Sequence, residues 1–234
     1  GYKLIQSYAQ THDIPFDTLY KYLDLVTISI ASDIVPIIGE NRILASFGLK
    51  LINTNPRPGI ESILNVANII RKPVEEITHD DEDNGLIFSR ELTISDMVFV
   101  VGPRINAAGR IESGNNSVKL LISPDMETAA SIALQINDFN TERRTLDTQI
   151  TLEALDIIAK DDKLRRARAT VVFNPDWHKG VIGIVASRLT ETYYRPTVVL
   201  TQSNGLITGS ARSVKDFDVY DAIDACSDLL EHFG

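Results

Sequence analysis

"ATVVFNPDWHKGVIGIVASR", Ala169 to Arg188, is the stretch on which the fold class turns. Its opening residues are rich in β-branched types, and from Val181 onward apolar residues recur at helical spacing. The stretch therefore reads as strand, tight turn and helix. A turn needs only Gly, Pro or Asn; this one adds Trp177, His178, Lys179 and Gly180, an aromatic ring, an imidazole, a cation and a bare backbone. Two readings stay open on the local pattern. One is an ordinary turn with a packed Trp and surface His and Lys. The other is an anion site, because the first N–H groups of a helix lack partners and its macrodipole is positive there.

Downstream the alternation continues: a strand at Thr197–Thr201, a turn at Ser203-Asn204-Gly205, a strand at Leu206–Ser210 and a helix over Asp218–Phe233. An Asn-Gly pair between two strands is a strong hairpin signal, so the C-terminal part reads as a small α/β domain with a mixed sheet. Upstream, no Gly or Pro interrupts Asp125 to Lys160, with Ser123 as N-cap and Pro124 at the first helical position. Such a helix would be about 50 Å long and reads as a connector between two lobes. Before it, helices are expected at Tyr2–Ala9, from the Asp17 cap to Leu25, over Glu40–Thr54, and over Ile60–Ile70 after the proline-rich "NPRPGI". "LVTISIASDIVPI", Leu25 to Ile37, alternates and predicts a strand ending in a loop at Ala31, Ser32 and Asp33. "SDMVFVVGPRINAAGR" predicts a short apolar run broken at Gly102-Pro103.

At 234 residues, with 44% hydrophobic and 24% charged residues, the chain has the composition of a globular protein. No apolar run reaches the roughly 18 residues of a membrane span, so no membrane partner is expected. The lone Cys226 excludes an intrachain disulfide and suits a reducing compartment; its spacing puts it on the core side of the last helix. A net charge of −9 argues against non-specific binding of duplex DNA. The charge is uneven, however. Acidic residues crowd into "EEITHDDEDNG", Glu75 to Gly85, which reads as a solvated loop. Arginines gather at 104, 110, 143, 144, 165, 166, 168, 188 and 212, which leaves room for a local basic groove.

Three further groups could carry chemistry. Asp33 follows small residues at the end of an apolar run and reads either as a loop residue or as a metal ligand. One carboxylate cannot hold a catalytic cation alone, and His12, His79, His178 and His232 are scattered. "GPRINAAGR", Gly102 to Arg110, offers Arg104, Asn106 and Arg110 beside glycines, suited to phosphate or to a plain surface loop. "TGSARS", Thr208 to Ser213, offers Ser210, Arg212 and Ser213, again a phosphate site or a β-turn. No Ser or Cys sits on a nucleophile elbow with a neighbouring His.

Taken together, "SDIVPIIGENR", "NPRPGI", "GPRINAAGR", "NPDWHKGVIGIVASR" and "GSARS" resemble the single-stranded-DNA-specific exonucleases of the DHH phosphoesterase superfamily. The blocks run in that family's order from Asp33 onward. Its D-x-D near the first strand and its Asp-His-His motif would precede Gly1, and its Gly-Gly-His motif is not seen here, so the resemblance implies an interior fragment, inactive alone. It implies an α/β fold of two lobes: the end of a DHH phosphoesterase domain over 1–122, a long connecting helix over 123–162, and a DHH-associated substrate-binding domain with a mixed sheet over 163–234. Asp33 resembles a metal ligand of a two-ion Mn²⁺ or Mg²⁺ site whose other ligands lie upstream. Arg104, Asn106 and Arg110 would line the substrate path. Ser210 and Arg212 would grip a 5′-terminal phosphate, with Trp177, His178 and Gly180 shaping the floor between domains. The implied activity is 5′-to-3′ hydrolysis of single-stranded DNA in repair and recombination, in the bacterial cytoplasm, with a helicase and a single-strand-binding protein as partners. Three rivals stand beside it: a small DHH phosphodiesterase of short oligonucleotides or cyclic dinucleotides, a catalytically silent nucleic-acid-binding relative, and a purely structural two-lobe interaction module.

Overall fold

A computed structural model describes residues 1–77 and 87–234. Residues 78–86, which hold most of the acidic segment and His79, lie outside the described residues. The chain divides into two compact units, Gly1–Thr141 and Glu142–Gly234.

The first unit is built from helices. They are α1 (Tyr2–Thr11), a 3₁₀ segment Phe16–Tyr22, α2 (Leu23–Ser32), α3 (Gly39–Thr54) and α4 (Pro58–Val66). Then come a short turn α5 (Ile94–Asp96), a π-helical segment Met97–Val101, α6 (Gly102–Ile111), α7 (Asn115–Leu121) and the start of α8 (Met126–Lys160). The core gathers Ile28 and Ala31 of α2, Ile52 of α3, Ile60, Ile63 and Leu64 of α4, Phe88, Met97 and Val101, and Ala129, Ala133 and Ile136 of α8.

The strand predicted from Leu25 up to the loop at Ala31, Ser32 and Asp33 is helix α2 instead. Leu23, Asp24, Thr27, Ile28, Ile30 and Ala31 are all buried, so the segment is wrapped by protein on most sides and shows no polar stripe. Its β-branched run looked like a strand, but burial overrides that propensity. Thr27 turns its hydroxyl back to the Leu23 carbonyl at 2.9 Å. The crossing of α2 and α3 explains Gly48: a Cβ there would lie 2.1 Å from the Leu23 carbonyl oxygen. Buried Asp24 pairs with Arg57 of "NPRPGI", whose Nε and Nη2 donate to its two carboxylate oxygens. Asp96 closes a capping box with Thr93, and its carboxyl is held at about 2, first by the Arg90 guanidinium.

The uninterrupted helix is present as α8, 35 residues long, and the division between units falls within it. Its N-terminus is capped by Asp125 rather than Ser123. The Thr128 amide donates to Asp125 Oδ1 at 2.8 Å, whereas Ser123 donates its hydroxyl to the Lys119 carbonyl.

The second unit is α/β. After α8 come α9 (Asp162–Arg166), β1 (Thr170–Phe173), α10 (Ile182–Tyr193), β2 (Thr197–Ser203), β3 (Leu206–Arg212) and α11 (Val219–Asp224). The sheet order is β1-β2-β3, with β1 parallel to β2 and β2 antiparallel to β3, the mixed sheet expected from the sequence. Asn204 and Gly205 both take positive φ, 53° and 80°, the two-residue turn their identity called for. Helix α10 packs on β2 and β3, burying Ile182, Val185, Ala186 and Leu189. Arg195, 9% exposed, donates to the carbonyls of Leu164, Arg165 and Ala167 and closes the end of α9. The last predicted helix is shorter than expected, and Cys226 is exposed rather than in the core.

Candidate functional site

The sequence candidates divide between the two units. In the first, Asp33 is the C-cap of α2, not the end of a strand, and its side chain is exposed. The chain leaves the helix through a Schellman-type closure: the Ile34 amide donates to the Ala31 carbonyl, and the Val35 amide to the Ile30 carbonyl. That closure puts Ile34 at φ +51°, the left-handed region that glycine ordinarily fills and a β-branched residue resists.

"GPRINAAGR" is helix α6 and not a loop. Pro103 sits where the π-helical segment Met97–Val101 passes without a break into α6. The helix packs beside the end of α2, since a Cβ on Gly102 would stand 3.2 Å from Ser32 Cα. Asn106 donates from Nδ2 to the Ser32 carbonyl at 3.0 Å, which ties α6 to the residue preceding Asp33. Arg104 donates from Nε to Asn137 Oδ1 and from Nη1 to the Val100 carbonyl. Much of the Asn106 and Arg104 donor capacity is thus committed within the unit. Arg110 is exposed near the other end of α6.

Among the described residues, no group of three or more His, Cys, Asp and Glu could hold a metal ion. Asp33 alone supplies one oxygen ligand where a hard cation takes six or more. The residues described here therefore do not make a cation site.

In the second unit, the turn between β1 and α10 spends most of its polar groups on itself. Trp177 is 3% exposed, and its Nε1 donates to Glu153 of α8 at 2.8 Å. The ring is therefore packed, as in the first of the two local readings, rather than an open aromatic face. Glu153 is held below the usual carboxylate range, first by Gln149 and then by the indole. The Gly180 amide donates to His178 Nδ1 at 3.2 Å, and the His178 carbonyl accepts from the amides of Val181 and Ile182. Ile184 donates to the Val181 carbonyl. These bonds consume amides that an anion at the start of α10 would need.

The other half of the unit leaves donors in place. On β3, Ser210 and Arg212 lie beside α10. Arg212 Nη1 donates to Ser210 Oγ at 3.2 Å, and Nε donates to Ser187 Oγ at 3.1 Å. Two residues that the sequence reading passed over share this face. Gly183 and Ser187 are four apart, one turn of α10, and that i, i+4 pair of small residues was the signal available. The guanidinium of Arg188 belongs elsewhere. It donates through Nε and Nη2 to both oxygens of Asp147, itself buried in α8, and the pairing raises the Arg188 pKa. Arg165 pairs with Asp162. The basic groove anticipated from arginine count thus loses two of its cations, and Arg212 carries the charge on this face.

Three comparisons bear on this geometry. Residues 166–234 match the DHHA1 domain family model. The single-stranded-DNA-specific exonuclease RecJ of Bacillus subtilis is 33% identical over 214 residues, covering 91% of this chain and 25% of that protein. Crystal structures of RecJ from Thermus thermophilus in complex with Mg²⁺ and with Mn²⁺ superpose with TM-scores of 0.77 and 0.76 at 26% identity. Each covers 97% of this chain, while the chain covers 32% and 30% of them. The chain therefore spans between a quarter and a third of the relatives it matches here.

Proposed function

We propose, from a chain whose residues 166–234 match the DHHA1 domain family and 91% of which aligns with RecJ of Bacillus subtilis, that it forms part of a single-stranded-DNA exonuclease acting from the 5′ end. The observation that carries the proposal is the paired placement of Ser210 and Arg212 on β3 against α10. A hydroxyl and a guanidinium held 3.2 Å apart match two oxygens of one terminal phosphate. In this reading residues 1–122 complete a DHH phosphoesterase domain, 123–162 connect, and 163–234 bind the strand's end. Asp33 serves as one metal ligand, presented by the closed end of α2 and braced through Asn106. Arg104 and Arg110 lie along the strand's path. His178 and Gly180 shape the backbone near the bound end, and Trp177 supports that turn from beneath.

The relatives crystallised with Mg²⁺ and Mn²⁺ support divalent metal use by the full enzyme. Such ions activate a water and stabilise a leaving oxygen. The task left to the residues described here is to bind and orient the strand. No helix among the described residues is long and apolar enough to cross a membrane. The proposed setting is the bacterial cytoplasm, with helicase and single-strand-binding protein as partners in repair and recombination.

The test is end chemistry. Arg212→Ala in the full-length protein should cut the preference for a 5′-phosphorylated over a 5′-hydroxyl oligonucleotide by about 1–3 kcal/mol, the value of a charge-assisted hydrogen bond. An unchanged preference would remove the phosphate role.

A further inference from the structure

We infer that Ser187 and Gly183 of α10 are positioning residues that set the direction in which Arg212 presents its outermost nitrogen. The inference rests on the reading of Arg212 as a phosphate ligand. Ser187 Oγ accepts from Arg212 Nε at 3.1 Å and donates to the Gly183 carbonyl at 3.2 Å. Its single proton is therefore spent inside the helix, and Ser187 has none for a ligand. Ser210 is different: its Oγ accepts from Arg212 Nη1 at 3.2 Å, while its own proton is given to no described residue. Arg212 Nη1 also donates to the Ala211 carbonyl at 2.7 Å. A guanidinium is planar and rigid, so holding Nε and Nη1 fixes where Nη2 points. Nη2 keeps both of its N–H donors, since no described residue accepts from it.

Gly183 guards that direction. Its backbone is ordinarily helical, so no dihedral demands glycine there. The demand comes from space. A Cβ on Gly183 would stand 3.0 Å from Ser210 Oγ and 3.2 Å from Arg212 Nη2. Those are the two groups with donors to give. Glycine within a helix is unfavourable relative to alanine, so at this position local stability and ligand geometry pull in opposite directions.

The experiment measures binding, without turnover, of one oligonucleotide carrying either a 5′-phosphate or a 5′-hydroxyl. It uses the full-length protein in excess chelator, followed by fluorescence anisotropy. Ser187→Ala is expected to lower the phosphate-to-hydroxyl affinity ratio by about three- to tenfold, the net worth of one typical hydrogen bond, since it removes the orienting contact and not the guanidinium itself. Ser187→Thr, which keeps the hydroxyl, should restore it. Gly183→Ala should lower the same ratio while its melting temperature holds or rises, a combination that a purely structural role would not produce. If Arg212→Ala collapses the ratio but Ser187→Ala and Gly183→Ala leave it intact, the positioning role is wrong and the phosphate reading stands. If Arg212→Ala changes nothing, both fall. An equal loss of affinity for the two ends in Ser187→Ala also overturns the positioning role.

Discussion

Asp33 and Ile34 form one device. The helix end that presents the carboxylate requires the next residue to turn left-handed, and that residue is Ile34 at φ +51°. For an L-residue the left-handed region costs roughly 1–2 kcal/mol, and Ile34 recovers little by burial because it is 73% exposed. Ile34→Gly should therefore raise unfolding stability by about 0.5–1 kcal/mol once the extra chain entropy of glycine is set against the relieved strain. Urea unfolding checks this, and a loss of stability would mean that the Ile34 side chain does more than its exposure indicates. Strain of this kind is concentrated at functional positions, and here it borders the proposed ligand. The identity of Asp33 as a candidate was legible from its small neighbours. The left-handed residue after it was not, because sequence marks such positions with Gly or Asn and this one is Ile.

At the level of elements, α10 is tied to α8 by an asymmetric ion pair. Asp147 has a side chain 3% exposed, whereas that of Arg188 is 53% exposed. Removing the cation strands a carboxylate away from water; removing the anion leaves a guanidinium that can still be hydrated. Arg188→Met is thus expected to cost about 3–5 kcal/mol, the penalty for an uncompensated buried charge, and Asp147→Asn distinctly less. Thermal denaturation of the two variants settles the order, and equal losses would contradict it. The same elements show where sequence reading stops. The helical period from Val181 onward named α10 correctly, and the absence of Gly and Pro from 125 to 160 named α8. By contrast, α2 was read as a strand and α6 as a loop. A helix buried on most sides has no polar stripe to reveal its period. A Gly-Pro pair that ordinarily signals a turn lies here where a π-helical segment passes without a break into α6.

For the molecule as a whole, the residues of the proposed machinery fall in both compact units: Asp33 with α6 in Gly1–Thr141, and Ser210 and Arg212, the proposed phosphate ligands, in Glu142–Gly234. Because only Asp33 among the described residues is proposed as a metal ligand, the 234-residue chain incubated with Mn²⁺ should not degrade single-stranded DNA. Turnover that disappears in Asp33→Ala would show instead that this chain completes a metal site. The sequence by itself determined the strand–turn–helix of the second unit, its Asn-Gly hairpin and the long helix. Those features follow from consecutive residues, whose periodicity and turn chemistry act over short range. Only the tertiary structure decided which polar groups remain for a ligand. Trp177 is claimed by Glu153, 24 positions away, and Arg188 by Asp147, 41 positions away. Arg212 donates from Nε to Ser187, 25 positions away. Hydrogen bonds between distant segments form only once packing brings them within reach, and no local pattern encodes which donors that packing will consume.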